Sequence, residues 1–208
     1  MIGAALAAIA SIAATQTAPV PAPVVAAPPA APAVKEDLVK IAIETGEGRM
    51  VVALDRGRAP VTVANFLHYV DTHRYDGQTF YRAMPYGDGG LVQAGVTGDA
   101  RQLFPPIAHE PTTKTGLHHV RGTLAMARMA PGSARSDFFI LTADIPGFDA
   151  GAEGGDKDGF AAFGHVVEGI EVADKIFRDP KSPTKGAGAM KGQMLDPPVK
   201  IVRMTRVK

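Results

Sequence analysis

The chain has 208 residues, enough for one ordinary domain with appendages and a real hydrophobic core. Its 22 Lys and Arg and 21 Asp and Glu all lie from Lys35 onward, where the two signs are mixed, and no basic stripe or like-charge run points to nucleic acid as a partner. There is no cysteine, which excludes disulfides, thiol catalysis and cysteine metal sites and leaves the redox compartment open.

Residues 1–14, MIGAALAAIASIAA, are apolar and carry no charged side chain, and Ser11-Ile12-Ala13 offers small residues at the positions a signal peptidase reads. The segment reads as an export signal, although the usual preceding Lys or Arg is missing. The alternatives are a disordered Ala-rich leader and an uncleaved anchor. A membrane span needs about 20 apolar residues, and prolines arrive before that. Residues 15–36 are mostly Ala, Pro and Val, including Pro19, Pro21, Pro23, Pro28, Pro29 and Pro32. Such a composition favours extended polyproline conformations and reads as a disordered linker. The expectation is therefore a mature domain over 37–208, exported to a bacterial periplasm and not stably inserted in the membrane. An inner-membrane anchor or a cytoplasmic location is the alternative.

In the domain, Val39, Ile41 and Ile43 alternate with Lys40, Ala42 and Glu44, the period-2 pattern of a half-buried strand. Gly46-Glu47-Gly48 turns the chain into a second strand at Met50–Leu54, predicting a hairpin. Pro60 suits the first position of a helix whose Val63, Phe66, Leu67 and Val70 share one face. Further strands are predicted at Thr79–Ala83, Leu91–Ala94, Thr123–Ala127, Phe138–Thr142, Ala161–Val166 and Val199–Val207. A second helix is predicted at Ile170–Phe177, stopped by Pro180. Gly95–Arg121, Gly147–Gly159 and Gly186–Pro198 lack regular pattern and read as loops. Eight short strands with one early and one late helix predict a mainly β fold, an antiparallel sheet closed into a barrel that leaves no exposed edge.

Between Phe80 and Val166 lie five short segments in a telling order: Phe80-Tyr81-Arg82, Leu91-Val92-Gln93-Ala94-Gly95, Gly122–Arg128 (GTLAMAR), Ser136–Ile140 (SDFFI) and Phe160–Val166 (FAAFGHV). Together they resemble the cyclophilin family of peptidyl-prolyl cis-trans isomerases. The resemblance covers about residues 38–208 and is strongest from Gly122 to Ile140. It implies a closed eight-stranded barrel capped by two α-helices, no cofactor, and a monomer acting on X–Pro bonds of unfolded or partly folded polypeptides. The rival reading is a proline-peptide-binding chaperone or adaptor on the same fold, with negligible turnover.

By the same resemblance, Arg82 is the catalytic arginine, Gln93 orients the substrate backbone and helps hold that arginine, and Phe139 forms the floor of the proline pocket. Leu91, Met126, Ala127, Arg128, Phe148 and Phe160 are the implied substrate-binding residues. Phe138 is expected to face away from Phe139, into the barrel. The departures from the family pattern cluster around this pocket. The segment Ala83–Val92 is longer than usual, and Gly90 falls where the family has a pocket phenylalanine, so Tyr86 is a candidate replacement. Phe160 stands where histidine is frequent and Phe148 where tryptophan is. Asp137 and Arg128 replace a glutamine and an asparagine, and an ion pair between them is expected.

Other patterns are weaker. His118-His119, with His109 and Glu110 upstream, invites a metal reading. Neighbouring side chains on an extended segment diverge, however, and no partner falls at helical spacing, so no metal site is predicted. Asp156-Lys157-Asp158-Gly159 lacks the later glutamate of a calcium loop.

Overall fold

A computed structural model describes residues 37–207, so the expected signal (1–14) and linker (15–36) lie outside the described residues. The predicted hairpin forms: β1 (Leu38–Thr45) and β2 (Gly48–Asp55) pair antiparallel, with Ile41, Ile43, Met50, Val52 and Leu54 turned into the core. α1 (Pro60–Asp71), β3 (Thr79–Tyr86), β4 (Gly89–Gly95), a one-turn α2 (Thr112–Thr115), β5 (Thr123–Met126) and β6 (Phe138–Leu141) follow. β7 (Ala161–Glu168), α3 (Ile170–Arg178) and β8 (Met194–Arg206) complete the domain. Every strand pair is antiparallel, and the sheet closes in the order β1-β2-β7-β5-β6-β4-β3-β8. Closure satisfies the strand edges that an open sheet would expose.

Both predicted cap helices are present. α1 buries Val63, Phe66, Leu67, Tyr69 and Val70, and the Phe66 ring meets Phe138 edge-on at 5.2 Å and Phe163 at 5.2 Å. α3 lies by the β1–β2 turn, where Val172 packs against Gly48, and buries Val172, Ala173 and Ile176. Two loop expectations need correction. Gly95–Arg121 is not free of structure, since it carries a 3-10 turn (Ala100–Gln102) and α2. β8 begins at Met194, not Val199, because Met194 already pairs with Arg82 of β3.

The start of α1 solves a local problem with a distant residue. Its N-cap is Ala59, which has no side-chain acceptor to offer. Glu110 supplies one: its Oε1 accepts from the Val61 N–H (3.2 Å) and its Oε2 from the Thr62 N–H (2.8 Å) and Thr62 Oγ1 (2.7 Å). The carboxylate is buried at the positive end of the helix, where negative charge is stabilised. Glu110 is thus a structural cap, and His109 beside it bonds through Nε2 to the Asp158 carbonyl (2.8 Å).

Strand alternation also builds a second, smaller apolar cluster on the outside of the barrel. Along β4, β5 and β6, Val92, Ala94, Leu124, Met126, Phe138 and Ile140 face inward. Their neighbours Leu91, Ala125, Phe139 and Leu141 face outward, where Met84, Ala127, Phe148 and Phe160 pack on them. Glu110→Ala strands the buried donors at the start of α1 and is expected to lower the unfolding free energy by about 3 kcal/mol in urea titrations, whereas an unchanged midpoint would contradict the capping role.

Candidate active site

Simple alternation would send Tyr81 and Arg82 to opposite faces of β3. Instead the register slips between Phe80 and Arg82 against both neighbours: Phe80 pairs with Ala94 and Arg82 with Gln93, leaving Tyr81 as an extra residue. This β-bulge keeps Phe80 and Ala83 in the core and places Tyr81 and Arg82 together on the outer face.

There the two side chains enter one hydrogen-bonded chain. Arg82 Nη1 donates to Gln93 Oε1 (2.9 Å), Gln93 Nε2 donates to Tyr81 Oη (2.6 Å), and the Tyr81 hydroxyl donates to Asp137 Oδ1 (2.6 Å). On its other side Arg82 Nε donates to Gln193 Oε1 (2.8 Å), and Gln193 Nε2 donates to the Ala189 carbonyl (2.8 Å). Asp137 can come this close only because Gly95 has no side chain: a Cβ there would stand 2.6 Å from Asp137 Oδ1. Burial lowers the pKa of Arg82 from its ordinary value, with the Tyr81 phenol opposing, and the guanidinium remains a cation at any working pH. Burial, and secondarily Asp137, push the Tyr81 hydroxyl well above 10, so it stays a donor.

Beside the guanidinium lies an aromatic pocket. Phe139 meets Phe160 edge-on at 5.4 Å and Phe148 at 5.7 Å, and Phe148 and Phe160 are 4.8 Å apart. Arg82, Leu91, Gln93, Ala127, Arg128, Phe139, Phe148 and Phe160 all line one cavity of about 460 Å³, a volume suited to a small group such as a proline ring with its flanking backbone. Eight of the nine residues singled out in the sequence are therefore brought together. Met126 is not: its side chain is fully buried in the barrel core, as the inward member of the β5 alternation. The cavity also takes in Met84, Asp137, Leu103, Met129, Ser133, Arg135 and Met190.

Two further expectations change. Arg128 does not pair with Asp137; its Nη2 reaches Asp156 Oδ2 (2.9 Å) and its Nε the Gly159 carbonyl (2.9 Å), with its Cζ 5.1 Å from the Phe160 ring centre. Tyr86 does not enter this cavity. It is half exposed at the end of β3 and lines a separate groove behind Phe148 and Phe160. No side chain fits at Gly90, where a Cβ would stand 1.9 Å from the Met84 carbonyl oxygen; the outward-facing Met84 lines the cavity instead.

The adjacent histidines converge rather than diverge, because Leu117–Val120 is irregular and not extended strand. Asp149 Oδ2 takes His118 Nδ1 (2.7 Å), while Oδ1 takes both the His119 N–H (3.0 Å) and His119 Nδ1 (2.6 Å). Asp149 follows Phe148 directly, so this clamp fixes the turn that carries one wall of the pocket. The His119 ring is buried near Phe139, Phe148 and Phe160. Its pKa lies below the ordinary 6.5 because burial penalises the imidazolium more than Asp149 favours it. The Asp149 pKa is lowered as well, since bonds from both histidines outweigh its burial. Among the described residues no group of three or more His, Asp or Glu side chains is arranged to hold a metal.

A family model described as cyclophilin type peptidyl-prolyl cis-trans isomerase/CLD matches residues 39–207. The chain is 42% identical over 141 residues to peptidyl-prolyl cis-trans isomerase A of Dickeya dadantii, covering 65% of this chain and 70% of that one. It is 35% identical over 140 residues to isomerase B of Escherichia coli, covering 65% and 82%. A crystal structure of a Cryptosporidium parvum cyclophilin type isomerase superposes with a TM-score of 0.65 at 19% identity, over 83% of this chain and 99% of that one, and shows the shared fold.

A histidine whose pKa is depressed in the fold binds its proton first in the unfolded chain. The stability it contributes is complete above about pH 6.5 and is lost as the pH falls below that. His119→Asn retains a donor for Asp149 but cannot titrate, and is expected to flatten the decline in unfolding free energy between about pH 6.5 and 5. A decline as steep as that of the wild type would contradict the placement of His119.

Proposed function

Because the chain belongs to the cyclophilin-type peptidyl-prolyl cis-trans isomerases and accelerates rotation about X–Pro bonds, we propose that Arg82 is its catalytic group, with Phe139 as the floor of the proline pocket. The barrier to peptide rotation is about 18–20 kcal/mol, and uncatalysed X–Pro exchange takes tens of seconds or more. No bond is broken, so the reaction calls for no nucleophile or general base. It is helped by whatever weakens amide resonance in the twisted state. A donor directed at the proline nitrogen as it pyramidalises does so, because it interacts more strongly with the twisted amide than with either planar one. In this reading Gln93 holds the arginine and engages the substrate backbone. Leu91, Ala127, Phe148 and Phe160 wall the pocket, and Arg128 stiffens its rim. The observation that carries the reading is a buried-side guanidinium tied at two nitrogens beside an aromatic cavity of proline size.

The clients proposed are unfolded or partly folded polypeptides with exposed X–Pro bonds, turned over by a monomer. No described helix is long and apolar enough to cross a membrane. The composition of residues 1–36 supports export to the periplasm through a cleaved leader, with the Ala/Pro segment as a spacer. Mass spectrometry of the native amino terminus tests this, and a retained Met1 would overturn cleavage.

Arg82→Ala is expected to lower kcat/KM on an Ala–X–Pro–Phe peptide by about 10²–10³. Arg82→Lys should recover little, because one ammonium cannot replace a fork tied at two nitrogens. Phe139→Ala is expected to act mainly by raising KM. Full turnover by a folded Arg82→Ala variant would remove Arg82 from the chemistry.

A further inference from the structure

The hydrogen-bonded chain through Arg82 has a direction. Asp137, as a carboxylate, can only accept, so the Tyr81 hydroxyl must spend its single proton on it. The Tyr81 oxygen then has only lone pairs to offer Gln93, which must present its NH₂ there. That orientation in turn leaves Oε1 of Gln93 facing Arg82. Flipping the amide would set NH₂ against the guanidinium donors, and carbonyl oxygen against a hydroxyl whose proton is already committed. On the far side the same logic holds: Gln193 Nε2 is committed to the Ala189 carbonyl, so its oxygen faces Arg82 Nε. Nε and one N–H of Nη1 are thereby used, and Nη2 is left without a protein partner among the described residues.

We propose that Asp137 and Tyr81 are positioning residues: the fixed charge of Asp137, relayed through Tyr81 and Gln93, sets the polarity of the chain and holds Arg82 with one nitrogen free for the proline amide. Gln193 is the second tie. The inference rests on the catalytic reading of Arg82 and adds to it the device that orients the guanidinium. It also assigns roles to a carboxylate and a tyrosine that the isomerisation itself does not require. Tyr81 can fill this role only because of the bulge in β3, and Asp137 only because Gly95 admits it.

The charge can be removed at nearly constant shape. In Asp137→Asn the new amide can donate to the Tyr81 oxygen, which frees the hydroxyl to donate to Gln93 Oε1 and so turns the Gln93 amide towards Arg82 the wrong way round. Asp137→Asn and Tyr81→Phe, made in the full chain, are each expected to lower kcat about tenfold with KM nearly unchanged, because the oriented donor acts in the twisted state. Combined, they should cost no more than either alone, and neither should matter further in a Gln93→Ala background. Circular dichroism and the unfolding midpoint identify a variant that has simply lost its fold, and Asp137→Asn is the variant least prone to do so.

Arg82→Ala is run beside them. If it abolishes turnover while folded Asp137→Asn and Tyr81→Phe keep wild-type kcat, the relay is wrong and the catalytic reading stands. Losses that are additive in the double variant, or that fall on KM alone, also overturn the relay, since they mark direct substrate contacts. If Arg82→Ala itself keeps full turnover, the underlying reading of the site has failed.

Discussion

A single extra residue in β3 is the constraint on which the site depends. With regular pairing, either Tyr81 or Arg82 would point into the barrel, where a tyrosine hydroxyl or a guanidinium would lie among Phe80, Phe138 and Phe66 without partners. The bulge lets the strand carry Phe80 and Ala83 inward and two consecutive polar residues outward. Everything that fixes the guanidinium is then supplied by neighbouring strands already in register: Gln93 directly opposite on β4, Asp137 just before β6, and Gln193 just before β8. Gln193 is itself held by the Ala83 N–H, which donates to its carbonyl oxygen (2.9 Å), so the tie and the strand it serves are one unit.

The aromatic half of the site follows from a different device. Phe139 is a strand residue and needs no more than alternation to face outward. Phe148 ends a one-turn 3-10 helix (Pro146–Phe148) and Phe160 stands just before β7, so both must be held by other means. The Phe160 N–H donates to the Phe148 carbonyl (2.9 Å), Arg128 ties the Gly159 carbonyl and Asp156, and Asp149 is gripped by two histidines. A rigid pocket next to a rigid cation suits a reaction whose catalysis lies in differential binding of a twisted amide rather than in bond-making.

Much of this was legible in the sequence because period 2 is a strong signal. The first hairpin, the closed antiparallel barrel and the opposite facing of Phe138 and Phe139 all follow from it, and the SDFFI and GTLAMAR segments carry the family resemblance. The same rule applied to β5 would have corrected the placement of Met126, which sits between outward-facing Ala125 and Ala127 and so had to face the core. Other features depend on contacts that no local pattern encodes. A bulge is visible only against its partner strands, and the capping of Thr62 by Glu110 joins residues 48 apart. The preference of Arg128 for Asp156 over Asp137 is likewise set by where the 156–159 turn lies, not by charge, since either carboxylate would serve. The change of partner matters for function, because it leaves Asp137 to Tyr81.

The central claim is that Arg82 is immobilised before any substrate arrives, and solvent exchange of its Nε–H in the free protein tests this directly. In ¹⁵N-labelled full-length protein, Arg82 is expected to give a distinct Nε–H signal that exchanges at least about tenfold more slowly than that of exposed Arg135, whose guanidinium has no hydrogen-bond partner among the described residues. Exchange of Arg82 as fast as that of Arg135 would contradict a preorganised guanidinium and leave its orientation to be made only when substrate binds.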